Sequence, residues 1–360
     1  PAPSRFFYYL TGAEPDRKVI VKPYGLAFHN SKLFVCDTIL NAIEILDFRT
    51  RRFEYFTSRG AGKLGKPVNL AVDVDGTRFV ADLLRDEVLV YSDEGNYTGA
   101  VGERGSMEPV DVAVTSNRIY VADMRNRRVQ VFEKSTRNLL FAIPREPKDP
   151  SEDLFGPTNL ALDPAGRLYV SDSRAFRIQL YDADGRYVRT VGRHGDLPGE
   201  FARPKGVATD REGRLYSVDA AAQLVQIFDN EGRMLLYFGE PGGSDAALVL
   251  PATVIIDYDH VDLFRHYAAP EFELEYLVLV SSQYGNRKVM VYGFGHRKSE
   301  PAPIAVGQPE TVKEATPETS DLCVTPPEPA APQATIPQPE EPRATTSKTP
   351  ADPMKKLDPK

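Results

Sequence analysis

The 360-residue sequence predicts an all-β fold, a six-bladed β-propeller, and three observations support that prediction. First, six prolines at positions 23, 67, 109, 157, 204 and 251 open similar units, with separations of 44, 42, 48, 47 and 47 residues. Second, each unit contains short runs rich in Val, Leu, Ile and Tyr, which are typical of strands. Third, Asp-Gly and Glu-Gly pairs separate the runs, as tight turns require. A period in the forties with several strands per unit is typical of propeller blades.

The fourth unit shows the order of the elements within a blade. The predicted strands are 159–163, 168–171, 177–182 and 187–191, with turns at 164–166 and 183–185. The second strand ends at Asp172, and the second strands of four other units also end in Asp, at Asp37, Asp82, Asp123 and Asp219. We expect each carboxylate to accept N–H groups of its own following turn, as Asx turns do. The alternative, a cation-binding ring, lacks a sixth acid, because the sixth unit has Ser282 and Gln283 there.

The sixth unit departs from the repeat in two ways. It has no fourth strand, and Arg5 to Leu10 (RFFYYL) resembles the fourth strand of unit four, so we predict that this N-terminal strand closes blade 6. Such closure leaves the ring without an open edge. The unit also carries an insertion, residues 258–276, on the face that we call the bottom. It either plugs the base of the channel or docks a partner, with Phe264 and Tyr267 as the candidate contacts.

The last 62 residues, 299–360, differ in composition from the rest of the chain. They hold fourteen of the 30 prolines, one glycine and no aromatic residue. Such a segment buries too little apolar surface to offset its ordering entropy. The sequence therefore predicts a propeller over 1–298 and a Pro-rich disordered tail over 299–360. The tail contributes −4 of the net charge of −7, and the remaining −3 argues against a dedicated nucleic-acid binder.

Several other classes of protein and site are disfavoured. No apolar run reaches the ~18 residues of a membrane helix. The two cysteines, Cys36 and Cys323, exclude a disulfide framework, a CxxC zinc site and a CxxCH haem site. No Gly-x-Ser-x-Gly elbow or phosphate-binding glycine loop occurs. The chain begins at Pro1 rather than Met, which indicates a removed segment, with a cleaved export signal or a cloning boundary as the alternatives.

These repeats, with second strands such as LFVCD (33–37) and IYVAD (119–123), closely resemble NHL repeats over residues 1–298. The aromatic N-terminal strand and the end near QYGNRKVMVYGFG (283–295) resemble the bacterial exported or lipoprotein branch of that family. The resemblance implies an extracytoplasmic protein, in the periplasm or at the cell surface, with a lipid anchor on the removed N-terminus. It also implies multihaem cytochromes or outer-membrane components as partners. The zinc-dependent lyases on this fold need several histidines, and the five here occupy no equivalent positions in different blades.

Three polar residues are candidate ligands at the mouth of the channel, each the second residue after a lead proline: Asn69, Asp111 and Asn159. Related hydrolases of the paraoxonase and gluconolactonase kind place Asn, Asp and Glu around a channel metal. Hard cations such as Ca²⁺ prefer six to eight oxygen ligands, and one carboxylate supports only weak binding. The sequence therefore predicts no firmly held cofactor, with weakly bound Ca²⁺ at Asp111 or satisfaction by water and backbone as the alternatives.

A second candidate site is basic and consists of arginines in the turns of the top face: Arg125, Arg127, Arg128 and Arg174. They either pair with neighbouring acids or form a surface for an acidic protein partner. Two functions follow from these observations. The first is a non-catalytic protein-interaction scaffold in an extracytoplasmic, membrane-associated bacterial assembly. The alternative is a metal-dependent hydrolase or lyase, of the Ca-dependent lactonase or esterase kind, or a small-ligand binder at the channel mouth.

Overall fold

The computed structural model describes residues 20–298 except 243, 245 and 246, and the described residues form six antiparallel sheets. Blade 1 consists of β1 (Pro23–His29), β2 (Lys32–Asp37), β3 (Ala42–Asp47) and β4 (Arg52–Phe56). Blade 2 consists of β5 (Pro67–Val72), β6 (Arg78–Asp82), β7 (Glu87–Tyr91) and β8 (Tyr97–Val101). Blade 3 consists of β9 (Pro109–Val114), β10 (Arg118–Asp123), β11 (Arg128–Glu133) and β12 (Leu139–Ile143).

The second half of the ring repeats this order until the last blade. Blade 4 consists of β13 (Pro157–Leu162), β14 (Leu168–Asp172), β15 (Arg177–Tyr181) and β16 (Tyr187–Val191). Blade 5 consists of β17 (Pro204–Thr209), β18 (Leu215–Asp219), β19 (Leu224–Phe228) and β20 (Met234–Phe238). Blade 6 has three strands among the described residues, β21 (Pro251–Asp257), β22 (Phe272–Ser282) and β23 (Val289–Arg297). One short helix, α1 (Val261–Phe264), lies between β21 and β22.

The first strands of the six blades form the inner wall of the ring. Each contacts the first strand of the next blade, and β21 contacts β1, so the cycle is closed at this level. All six begin with a lead proline, as predicted. Proline suits this position because it cannot donate a hydrogen bond to the ladder and is confined to strand starts or edges. The fold is therefore the predicted six-bladed propeller.

The core lies between neighbouring blades rather than inside any one of them. Six apolar clusters fill these spaces, and each combines side chains of adjacent blades. The cluster between blades 6 and 1, for example, joins Leu33 and Leu46 of blade 1 to Leu277 and Leu279 of blade 6. Burial of these residues on both faces explains why strands of five or six residues suffice.

The insertion of blade 6 packs against blade 1, and we call residues 258–271 the strap. The His260 ring stacks on Phe28 at a centroid distance of 4.0 Å. The Ser31 N–H donates to His260 Nε2 at 2.9 Å, so Nδ1 carries the proton and donates to Asp257 at 2.8 Å. Phe264 lies 5.4 Å from the ring of Phe48.

These contacts correct the expectation that the insertion plugs the base of the channel. Within the described residues, the cavity at the axis is lined by first strands alone, and in blade 6 its lining ends at Asp257. The strap lies beside this cavity and joins two blades. Part of the insertion is also strand, because β22 begins at Phe272, five residues earlier than Leu277 where the sequence predicts the strand.

Some sequence predictions fall outside the described residues. The closing strand Arg5 to Leu10, the tail 299–360 and Cys323 belong to this group. In the part of the chain that the structure describes, no helix has the length and apolar character to cross a membrane.

Candidate functional site

The top face carries the turns between the second and third strands and the connections between blades. In blades 1, 2, 3 and 5, the second-strand aspartate forms hydrogen bonds both to the following turn and to the connection that precedes the blade. Asp37 accepts hydrogen bonds from the N–H groups of Val21 and Lys22 at 2.6 and 2.8 Å. Its other oxygen accepts the N–H groups of Ile39 and Leu40 at 2.9 and 3.0 Å. The predicted bonds to the following turn are therefore present, and the carboxylate also holds the connection before the lead proline.

The same arrangement recurs around the ring and fixes the residue before the lead proline. The N–H of this residue donates to the second-strand aspartate of its own blade in blades 1 to 5. Its C=O accepts the N–H of the first residue of the following turn. We call these positions the clamped positions: Lys22, Lys66, Glu108, Gly156 and Arg203. Because both backbone groups are bound, the main chain of these residues is fixed on the top face.

The four candidate arginines lie in the top turns of blades 3 and 4, and all four are exposed. Arg125 forms an ion pair with Asp86 at 3.0 Å, in a partly exposed setting. Among the described residues, no carboxylate lies within 4.0 Å of the guanidinium groups of Arg127, Arg128 or Arg174. The aliphatic stem of Arg174 lies over Gly156, where an added Cβ would meet its Cγ at 2.6 Å. The structure thus places these arginines together on one sector, with most of their charge unpaired.

Arg127 occupies a backbone conformation that arginine does not favour. Its φ is +53°, in the left-handed region. The same turn position in four other blades is also left-handed and holds Asn41, Asp86, Phe176 and Gln223. Asn and Asp adopt this region most readily, so an arginine there is not chosen for the turn geometry. Because Phe176 and Gln223 hold the same position in the same conformation, the interest of Arg127 lies in its exposed charge rather than in its backbone.

For two of the three mouth candidates, Asn69 and Asp111, the structure shows the predicted alternative of satisfaction by backbone groups. Asn69, Asp111 and Asn159 are buried in the wall between neighbouring first strands, with exposures of 4%, 6% and 2%. Asp111 accepts the N–H groups of Val112 and Leu160 at 2.8 Å each, so it links blade 3 to blade 4. Asn69 accepts the N–H of Leu70 at 3.1 Å. None of the three lines the cavity at the axis.

The electrostatics of Asp111 follow from this position. Burial raises the pKa of Asp111 to about 7, although the N–H groups of Leu160 and Val112 and the side chain of Asn159 lower it. A carboxyl with this pKa is only partly charged at neutral pH, which weakens it as a ligand for Ca²⁺. Within residues 20–298, apart from the three undescribed positions, no group of three or more His, Cys, Asp or Glu side chains is arranged to hold a metal.

The axial cavity has a volume of about 360 Å³, and backbone groups together with Thr209 and Asp257 give its lining a mixed polar and apolar character. All six first strands contribute to it, mainly with Ala, Val, Leu and Ile in their lower halves. Above it the ring is tight, because a Cβ on Gly25 would lie 2.1 Å from Asn69 Oδ1 and one on Gly206 would lie 2.5 Å from Thr253 Cα. The cavity therefore lies below the narrow part of the ring at the level of Gly25 and Gly206.

The two candidates in the strap divide into one packed and one exposed residue. Phe264 is half-buried in the cluster between blades 6 and 1. Tyr267 is 67% exposed, and the His266 ring lies on it at 3.9 Å. Only Tyr267 is available to a partner in the described conformation.

Two features were missed by sequence reasoning. Lys205 Nζ donates to the hydroxyl of Tyr24 at 3.0 Å, a contact between blades 5 and 1 that no local pattern signals. Glu44 is a fully buried acid in the third strand of blade 1. Its signal was present in the repeat, since Gln130, Gln179 and Gln226 hold the equivalent position in blades 3, 4 and 5.

Comparisons with known proteins agree with this architecture. A family described as a 6-bladed beta-propeller matches residues 150–237, and an NHL repeat is found at residues 107–132. No curated protein matches the chain. The chain is similar to a streptogramin B lyase structure at 14% identity and a TM-score of 0.53, covering 80% of this chain and 87% of that one.

Two further solved structures show the same fold. A hydrazine synthase structure from Kuenenia stuttgartiensis has 14% identity and a TM-score of 0.52, covering 78% of this chain and 98% of that one. A Bacteroides thetaiotaomicron protein of unknown function has 16% identity and a TM-score of 0.57, covering 76% and 70%. At these identities the likeness concerns the fold alone. The chain is a six-bladed β-propeller that contains an NHL repeat.

Proposed function

We propose that this propeller is a non-catalytic scaffold that binds an acidic protein partner through the top turns of blades 3 and 4. The observation that carries the proposal is the exposed group of Arg125, Arg127, Arg128 and Arg174, of which only Arg125 has an ion-pair partner among the described residues. Exposed arginines near aromatic residues have the composition of interface hot spots. Phe155, 45% exposed, lies in the connection between these two blades, under the guanidinium of Arg177 at 5.9 Å.

The setting that we propose is an extracytoplasmic assembly of a bacterium. Support comes from the resemblance to the exported branch of NHL proteins, in which multihaem cytochromes and outer-membrane components are the expected partners. The rigid ring presents the arginines without a change of shape, which limits the entropy lost on binding. An acidic partner would also associate faster at low salt, because unpaired surface charges steer the encounter.

The test is a charge reversal on the top face with a matched control on the bottom face. Arg127→Glu combined with Arg128→Glu should remove the partner in co-purification from the native source, at unchanged melting temperature. Arg51→Glu is the control, because Arg51 is also exposed and left-handed, with φ +55°, but lies in a bottom turn. Retention of every partner by the double variant, or equal loss with Arg51→Glu, would refute the proposal.

The hydrolase or lyase alternative has its own readout. It requires a cation at Asp111, so Ca²⁺-dependent turnover of a lactone or ester by the purified protein, lost in Asp111→Asn, would favour it. The contacts of Asp111 with the backbone of two blades predict that this substitution changes stability instead.

A further inference from the structure

The top face has a second basic sector, on blades 5, 6 and 1, across the ring from the arginines of blades 3 and 4. Lys205, the second residue of β17, reaches over blade 6 to Tyr24, the second residue of β1. At the same level of β21, between Lys205 and Tyr24, lies the fully buried Ala252, whose small side chain lets the Lys205 side chain pass over it. Lys205 Nζ also lies 5.6 Å from the centre of the Tyr24 ring.

The charges around this contact are positive where they are accessible. Lys22 Nζ lies 5.2 Å from the ring of Tyr284, and Arg203 is exposed at the clamped position of blade 5. Among the described residues, no carboxylate lies within 4.0 Å of Nζ of Lys22 or Lys205. The nearby acids of the second strands, Asp37 and Asp219, are buried and each accepts four backbone N–H groups.

The Lys205–Tyr24 pair presents two hydrogen-bond donors side by side. The Tyr24 hydroxyl accepts from Lys205, so its own proton remains available for another acceptor. Beneath the pair, Ser281 Oγ donates to the Tyr24 carbonyl at 2.7 Å and accepts from the Thr253 N–H at 3.1 Å. The Thr253 hydroxyl is buried and has no partner among the described residues, so this wall holds one further polar group without a bond.

We propose that the Lys205–Tyr24 pair is a binding site for a small carboxylate with a flat apolar body. An ammonium and a phenol 3.0 Å apart match the two oxygens of one carboxylate. The exposed ring of Tyr284 lies beside Lys22 and the half-buried ring of Tyr24 lies beside Lys205, so both offer flat apolar surfaces near the cations. The site is separate from the arginine surface of the proposed function, so either can fail without the other.

The test uses benzoate as the probe and the full-length protein, with benzamide as an uncharged probe of the same shape. Calorimetric titration should show benzoate binding to the parent protein and at least tenfold weaker binding of benzamide. Lys205→Met should weaken benzoate binding at least tenfold, and Tyr24→Phe about threefold. Lys63→Met is the matched control, because Lys63 is exposed on the top face between blades 1 and 2, and it should bind as the parent does.

The outcomes that overturn the proposal are distinct from a folding defect. Each variant is first compared with the parent in thermal unfolding, and Tyr24→Phe keeps the ring if Lys205→Met proves unstable. Equal affinity of the parent and Lys205→Met for benzoate would refute the site, as would equal loss in Lys63→Met. Equal affinity for benzamide and benzoate would refute the role of charge. Inorganic phosphate that competes as well as benzoate would overturn the assignment to carboxylates.

Discussion

At the scale of single residues, the buried acids show how one side-chain type serves opposite purposes. The second-strand aspartates are bound by backbone N–H groups, which compensates their burial. Glu44 lacks such donors. Neither of its oxygens has a partner among the described residues, and Asp37 is the neighbouring carboxylate. Two ionised carboxylates cannot form a hydrogen bond to each other, because neither carries a donor. A proton on Glu44 supplies that donor.

Burial and the charge of Asp37 raise the pKa of Glu44 to about 10, from a value of 4.5 in the unfolded chain. The folded protein therefore keeps a proton that the unfolded chain releases, and Glu44 costs increasing stability as the pH rises from 4.5 towards 10. Glu44→Gln should raise the free energy of unfolding by up to about 5 kcal/mol at pH 8, about 1.4 kcal/mol for each pH unit above 4.5, with a gain that vanishes near pH 4.5. Urea unfolding across this pH range measures the difference. The exposed Glu54→Gln is the control, and a gain independent of pH would contradict the assignment.

At the scale of elements, the strap of blade 6 adds an inserted segment to the interface between blades 6 and 1, whereas strands and the connections between blades fill the other interfaces. It adds Val261 and Phe264 to the cluster between blades 6 and 1. It also satisfies the backbone N–H of Ser31, which is 229 residues away in sequence from His260. A contact of this separation fixes the last blade to the first and has no local sequence signal.

Substitutions of the packed Phe264 and the exposed Tyr267 of the strap should differ in their effect on stability. Phe264→Ala should lower the free energy of unfolding by about 2 kcal/mol, because it removes a half-buried ring that packs on Phe48. Tyr267→Ala should change it by less than about 0.5 kcal/mol, because Tyr267 is mostly exposed. Chemical unfolding of the two variants checks both values. Equal stabilities would mean that the strap does not hold blades 6 and 1 together.

At the scale of the whole molecule, the repeat made most of the fold predictable. The lead prolines, the short apolar strands and the second-strand aspartates are local patterns, and the structure has them where the sequence predicts them. The candidate sites were less predictable. The sequence identifies Asn69, Asp111 and Asn159 as polar, but their burial depends on how closely neighbouring first strands approach, as at Gly25, where an added Cβ would lie 2.1 Å from Asn69 Oδ1. That approach is a property of the assembled ring.

Closure of the ring gives a prediction about the N-terminus. Among the described residues, blade 6 ends at β23, and Tyr292 and Phe294 on its blade-5 face are only partly buried. Deletion of residues 1–12 should remove the strand that we propose to cover this edge and lower the melting temperature by roughly 10 °C. It should also promote association through the exposed strand. Removal of residues 299–360 is the control and should leave the melting temperature unchanged. A truncated protein that melts as the parent does and stays monomeric would show that the N-terminus does not close the ring.

The clamped positions have a consequence for how such a ring can diverge. Because an aspartate and a turn hold the main chain on both sides of Lys22, Lys66, Glu108 and Arg203, the identity of their side chains is uncoupled from the fold. Substitution there changes the charge pattern around the axis at little cost in stability. The side chains at these positions can therefore be exchanged independently of one another, while the backbone of the top face stays the same. Related propellers can acquire different ligands through substitutions at these positions while every blade keeps its shape.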